Sequence, residues 1–361
     1  MAGGLPAVAL AKVGALTPRT ANLIMNRRDF LRVGAGIVGA GTLGLLGCGR
    51  GRVGDDAVAG GDLPGGESSG AAQPARVGHN RFQELLGGVN AAVASGEGKP
   101  PAKLVAAALA ALGGAEALVS QGDAVCIKPN LAWARTPQEA ACVHPEVLAA
   151  VIEACQQAGA GEVLVAEHPC DHAATTFEIS GAKEVCSRLR VHLIPLESES
   201  LYQEVQLPAG VNIKRDRIAR DILECDVLIN MPTLKVHSAT GITAAMKNQM
   251  GAIFDRDRYH LEASVGPRDV NLHQNIADLA SGLRPTLNIL DATRALTTSG
   301  PKGPGIVKQT GTIIAGSDIV AVDALAARLL GFDPGDIAHI KLGAEAGLGE
   351  MDEAKMTLAR V

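Results

Sequence analysis

Short aliphatic runs, each stopped by a polar residue or proline and followed by a helical pattern, recur along the chain at about thirty-residue intervals. That alternation constrains the fold more than any other feature. Ala124–Lys128 ends in Lys128-Pro129-Asn130, Val163–Ala166 in Glu167-His168, Val227–Ile229 in Asn230 and Leu287–Leu290 in Asp291; Thr310–Ala315 precedes Asp318. Between them, helical patterns run over Ala102–Leu118 (broken at Gly113-Gly114), from His144-Pro145 to Gln157, over Asp269–Leu283, over Ile319–Leu330 behind the Asp318 cap, and from about Asp336 to Ala346. The pattern predicts an α/β fold, a mostly parallel sheet with helices on both faces. In such a sheet the C-terminal strand ends share one edge, where helix N-termini and loops leave room for a ligand. Lys128, Asn130, Glu167, His168, Asn230 and Asp291 all fall on that edge.

Composition limits the core and the partners. Hydrophobic residues make up 47% of the 361-residue chain but aromatics only 2%, so the core is expected to be Ala, Val, Leu and Ile. The net charge of −5 gives no electrostatic footprint for nucleic acid.

The densest polar set follows the Val227–Ile229 run, in the stretch from Asp226 to Gly251. Pro232 is expected to end the strand. Lys235 and His237 then precede a Gly241 turn, and Thr243 is expected to cap a short helix carrying Lys247 and Asn248. Spaced i, i+4, Thr243 and Lys247 would share one helical face.

The N-terminal part reads differently. Arg27-Arg28 precedes a short Gly/Ala/Val/Leu run closed by Leu45-Leu46-Gly47-Cys48, an order that resembles a twin-arginine export signal with a lipobox. The run is shorter than the ~20 residues of a membrane-spanning helix. The expected organisation is a leader over residues 1–48 lipidated at Cys48, a flexible tether over 49–78 and one α/β domain over 79–361. Its partners would be the twin-arginine machinery and, through the lipid anchor, the membrane on the periplasmic or cell-surface side. Met25 is an alternative start directly before the signal.

From about Gly122 to Asp352 the chain resembles the bacterial and archaeal family named domain of unknown function 362. The resemblance rests on Ile127-Lys128-Pro129-Asn130, on Asn230-Met231-Pro232 running into Leu234-Lys235-Val236-His237, and on Thr243 through Lys247-Asn248 to Gly251. Arg256–His260, Asp291 before the Gly300-Pro301 loop, and Gly316–Asp323 complete it. The resemblance implies no particular reaction. Some members carry an appended ferredoxin-like segment, but the body cysteines here (Cys126, Cys142, Cys155, Cys170, Cys186, Cys225) form no Cys-x-x-Cys pair, so a ferredoxin-type cluster is not expected.

Three constellations carry chemistry. Lys128, Lys235 and Lys247 with Asn130, Asn230, Thr243 and Asn248 suit a small anionic ligand, and Gly300 and Gly303 would let backbone approach it. His237, His260 and His273 with Asp291 and Asp323 are candidate ligands of a divalent metal; buried, hydrogen-bonded histidines are the competing reading. Cys142, His144, His168, Cys170 and His172 could meet at the sheet edge as a soft-metal or thiol site, or as a Cys142–Cys170 disulfide. The expectation is an exported, lipid-tethered enzyme acting on a small anionic substrate with metal assistance, His237 and Lys235 being the catalytic candidates. A non-catalytic anion-binding lipoprotein and an iron–sulfur or redox protein are the alternatives.

Overall fold

A computed structural model describes residues 88–261 and 268–361 of the chain. The leader with Arg27, Arg28 and Cys48, and the tether at 49–78, lie outside the described residues. The strands are β1 (Ala91–Ser95), β2 (Ala124–Pro129), β3 (Glu162–Glu167), β4 (His192–Pro195), β5 (Tyr202–Gln206), β6 (Arg215–Ala219), β7 (Val227–Met231), β8 (Thr233–His237), β9 (Gly241–Thr243), β10 (Leu287–Leu296), β11 (Val307–Gly316) and β12 (Leu358–Arg360).

Ten of these strands form one sheet in the order β12-β1-β11-β10-β7-β2-β3-β4, with β8 paired to β10 and β9 to β8. The run from β10 through β7, β2 and β3 to β4 is parallel, as the alternation with helices requires. β11 lies antiparallel against both β10 and β1, which makes the sheet mixed on that side. β5 and β6 form a separate antiparallel pair.

Helices cover both faces. Alternation within β2 sends Val125 and Ile127 into one core and Cys126 into the other. The first core is closed by the helices Pro101–Ala111 and Pro145–Gln157, through residues such as Leu104 and Ile152. The second is closed by Arg268–Gly282 and Ile319–Leu329, through Ile276 and Val322. Both cores are almost wholly aliphatic, in keeping with the scarcity of aromatics.

Helix starts follow local chemistry. Pro145 stands at the first turn of its helix, where no N–H is needed, and His144 Nδ1 accepts from Glu146 N at 3.1 Å. Asp318 accepts from Ala321 N at 2.8 Å and caps Ile319–Leu329.

Pro232 ends β7 as expected, at Met231, and a separate strand, β8, follows and carries Lys235 and His237. Two sequence expectations are corrected. Thr243 caps no helix; it closes β9, and the four-residue helix Ala245–Asn248 begins after Ala244. Asp291 does not end its strand but lies inside the ten-residue β10.

Candidate functional site

The site grows from one row across the sheet. Lys128 of β2 lies beside Asn230 of β7, Asn230 beside Asn288 of β10, and Asn288 beside Gly316 of β11. Side chains at matched register positions share a face, so three polar groups line up in an aliphatic sheet. Buried amides need partners, and here they satisfy one another in a single direction. Lys235 Nζ donates to Asn130 Oδ1 (2.9 Å), and Asn130 Nδ2 to Asn248 Oδ1 (2.8 Å). Asn248 Nδ2 donates to Asn230 Oδ1 (2.8 Å), Asn230 Nδ2 to Asn288 Oδ1 (2.9 Å), and Asn288 Nδ2 to the Gly316 carbonyl (3.1 Å). The relay fixes which way each amide faces and holds the strand ends, the helix Ala245–Asn248 and Lys235 in one frame.

A cavity of about 620 Å³ opens over this frame. Lys128, Lys235, Lys247 and Arg256 bring positive charge to its wall. Lys128 is paired: its Nζ lies 2.8 Å from Glu167 Oε2, 3.2 Å from Asn248 Oδ1 and 3.0 Å from the Pro129 carbonyl. Glu167 also accepts from Leu131 N and His168 N, so both of its carboxylate oxygens are engaged. Lys235, 1% exposed, has among the described residues two acceptors, both neutral: Asn130 Oδ1 and the Ala141 carbonyl. Lys247 is half-buried, and among the described residues no acceptor reaches its Nζ. Arg256 donates to the carbonyls of His168 and Pro169 and to Cys170 Sγ, which ties the loop after β3 to the cavity rim.

The excess positive charge shapes ionisation. Burial, with the positive charge of Lys128 nearby, lowers Lys235 to about 8. Burial and the charges of Lys235, Arg256 and Lys128 likewise bring Lys247 down to about 8. His237 falls to about 3, first through burial and then through Lys247 and Lys235. Its Nδ1 accepts from Ala239 N at 3.1 Å, so the neutral ring carries its proton on Nε2. Thr243, opposite Lys235 in the β8–β9 register, is 3% exposed and its Oγ1 has no partner among the described residues. Among the described residues the cavity thus offers donors without a partner (Lys247 Nζ, Thr243 Oγ1 and His237 Nε2) and two ammonium groups that no carboxylate contacts, although Glu167 and Asp257 also line the wall. That is the wall of an anion site.

Of the residues expected to meet a ligand, Lys128, Asn130, Lys235, His237, Thr243, Lys247 and Asn248 line the cavity. Asn230 lies behind it in the relay. Gly300 and Gly303 are not on the wall, although Pro301 is. A Cβ at Gly300 would collide with the Val236 carbonyl, so this glycine serves close packing against β8.

The five metal candidates are not assembled. His237 and His260 line the cavity, whereas His273 Nδ1 accepts from His339 N and its ring stacks on His339. Asp291 accepts from His144 N, Thr293 N and Thr293 Oγ1. Asp323 accepts from Ala245 N and Met246 N, holding the start of the helix that bears Lys247. Among the described residues no group of three or more His, Cys, Asp or Glu side chains is arranged to hold a metal ion.

The Cys142 constellation is also divided. Cys142 is buried, with its thiol donating to the Trp133 carbonyl, and Cys170 is an exposed thiol on the cavity wall; both are free. His144 caps its helix through its side chain, and His172 stands at the N-cap position of the helix Ala173–Ile179 without a side-chain cap. His168 holds the Ile253 carbonyl through Nδ1 and stacks on Phe254. Glu167 and Arg256 join the site without having been assigned to it from sequence. Glu167 carried a signal, its place at the end of β3, but its pairing with Lys128 is set by the sheet.

Several known proteins are similar to this chain. The thylakoid-associated protein sll1697 of Synechocystis sp. is 28% identical over 241 residues, 66% of this chain and 72% of that protein. Two solved structures overlap more loosely. A Thermotoga maritima protein shares 12% identity at a TM-score of 0.41, over 69% of this chain and 60% of its own. The lactate racemase apoprotein of Thermoanaerobacterium thermosaccharolyticum shares 13% identity at a TM-score of 0.42, over 68% of this chain and 57% of its own. The chain therefore spans less than two thirds of either solved protein, and neither similarity bears on what it binds. The family described as "Domain of unknown function (DUF362)" matches residues 125–328, a segment that holds every residue of the lysine-lined cavity, and the chain belongs to that family.

Proposed function

We propose that the cavity binds a small anionic substrate and that the protein acts on it as an enzyme. One observation carries this reading: among the described residues no carboxylate contacts Lys235 or Lys247 at the cavity wall, Glu167 being held by Lys128. An uncompensated buried ammonium is costly, and an anion between the two would relieve both. Each charge-assisted hydrogen bond to it would contribute about 1.5–3 kcal/mol.

The histidine has a different role from the one its type suggests. A ring with a pKa of about 3 and Nδ1 engaged is a poor base at neutral pH. Neutral His237 instead offers Nε2–H to polarise a carbonyl or carboxylate oxygen, beside the Thr243 hydroxyl. No step is assigned to a metal, because the described donors do not converge. The competing reading is a binder that releases its ligand unchanged; the extensive mutual satisfaction of the asparagine relay favours a rigid receptor and is compatible with it.

We also propose twin-arginine export through Arg27 and Arg28 and anchoring by a lipid on Cys48. This rests on the order of those sequence features. No helix among the described residues is long and apolar enough to cross a membrane.

Thermal melts with a panel of inorganic phosphate, mono- and dicarboxylates test the anion site. The expected result is protection of the wild type by at least one anion and its loss in Lys247→Met. Equal melting of both proteins with every anion would refute the reading.

A further inference from the structure

We propose that Lys247 is a nucleophile that forms an imine with a small aldehyde or ketone bearing a carboxylate or phosphate group. The proposal rests on the anion-site reading above and names the substrate class of that site.

The three cavity lysines differ in what their nitrogens touch. Lys128 Nζ has three acceptors, Glu167, Asn248 and the Pro129 carbonyl. Lys235 Nζ has two, Asn130 and the Ala141 carbonyl. Acceptors around an ammonium hold its protons and leave no lone pair to attack. Lys247 Nζ has none among the described residues, though it lies on the wall of a 620 Å³ cavity. A lysine becomes nucleophilic when it is desolvated or placed beside other cations. Lys247 meets both conditions, facing Lys235, Arg256, Lys128 and the Cys170 thiol, and its folded-state value of about 8 leaves a usable fraction of free amine near neutrality.

The rest of the wall fits the same chemistry. Lys235 and Arg256 would hold the anionic group, which places the adjoining carbonyl carbon towards Lys247. The free amine adds to that carbon: a C–N bond forms, the carbonyl π pair moves to oxygen, and the nitrogen loses a proton as the oxygen gains one. The carbinolamine hydroxyl takes up the proton that Lys247 released to solvent on becoming the free amine and leaves as water, while the nitrogen lone pair forms the C=N bond of a protonated imine. In sum, ammonium and carbonyl give iminium and water, with no oxidant or reductant. Two unpartnered donors, Thr243 Oγ1–H and His237 Nε2–H, are available to the developing oxyanion. Thr243 Oγ1 is buried and has no structural partner, which a purely structural threonine would not require.

The test is reductive trapping on the full chain. The protein is incubated separately with glyoxylate, pyruvate and glyceraldehyde 3-phosphate, treated with borohydride, and measured by intact mass and peptide mapping. The expected result is about one adduct per chain on Lys247 with at least one compound. Lys247→Arg and Lys247→Met should lose the adduct, and the arginine variant should keep anion-dependent thermal protection. An adduct that maps to Lys128, Lys235 or surface lysines overturns the assignment. No adduct from a wild type still protected by the same anions overturns the imine alone. No adduct and no protection removes the anion site as well.

Discussion

Lys128 Nζ and Glu167 Oε2 lie 2.8 Å apart at the ends of adjacent parallel strands, and both side chains are almost fully enclosed. Gly251 presses against the pair: a Cβ there would collide with Glu167 Oε1 and come within 2.5 Å of Lys128 Nζ. Breaking a buried ion pair by removing one partner costs about 3–5 kcal/mol. Glu167→Gln should therefore lower the melting temperature by several degrees or more. Gly251→Ala should destabilise by about 1–3 kcal/mol through overpacking. Denaturant melts of the two variants check both; wild-type midpoints would show that the pair is not structural.

The other two lysines should separate by role. Lys235→Met strands Asn130 Oδ1 and the Ala141 carbonyl, at about 1–3 kcal/mol. Lys247→Met strands nothing and should melt at or above the wild-type temperature. Its effect should appear in affinity, a loss of about one to two powers of ten for an anion. Paired melts and titrations of the variants read the difference.

Stability should respond to pH in two opposed windows. Lys235 and Lys247 sit at about 8 in the folded protein against 10.5 in the unfolded chain. The unfolded state binds more protons between those values, so stability of the empty protein rises with pH from about 8 to 10.5. Asp323 is raised by burial from 3.8 to about 7, so the folded state binds more protons there and stability falls as pH rises through that range. Its neighbour His339, buried with Nε2 3.9 Å from Asp323 Oδ2, is lowered by burial and by His273, Lys247 and His237. It loses stability below its unfolded value of 6.5 and so opposes Asp323 on the acid side. Urea midpoints from pH 5 to 10 should show the alkaline rise in wild type and a weaker one in Lys247→Met. Asp323→Asn should remove the decline towards pH 7.

The fold was legible where local chemistry decides it. Pro145 with His144, and Asp318 with Ala321, marked helix starts that the structure keeps. The site was legible as residue types, at the end of β2 and in the stretch after β7, since Lys128, Asn130, Lys235, Lys247 and Asn248 do line one cavity. What sequence could not supply were partners far along the chain. Thr243 looked like a helix cap because the acceptor that replaces it, Asp323, lies 78 residues away from Ala245. Asp291 looked like a strand end and a ligand because its partner His144 comes from another element. Pro232 did stop β7, but the strand that follows it, β8, pairs with β10 and β9, which no local pattern announces.

Export should follow the leader. Replacing Arg27 and Arg28 by lysine should retain the protein in the cytoplasm, and Cys48→Ala should release it from the membrane. Fractionation showing unchanged membrane attachment in both variants would contradict it.

Calorimetry at pH 8 tests the anion site most directly. Near that pH Lys235 and Lys247 are each about half protonated in the empty cavity, and an anion seated between them must draw protons in. Titrations with inorganic phosphate and small carboxylates, run in two buffers of different ionisation heat, should show binding with net proton uptake. The uptake should shrink and affinity fall by ten-fold or more in Lys247→Met. Absence of binding by every anion, or equal affinity in the variant with no proton uptake, would contradict the account.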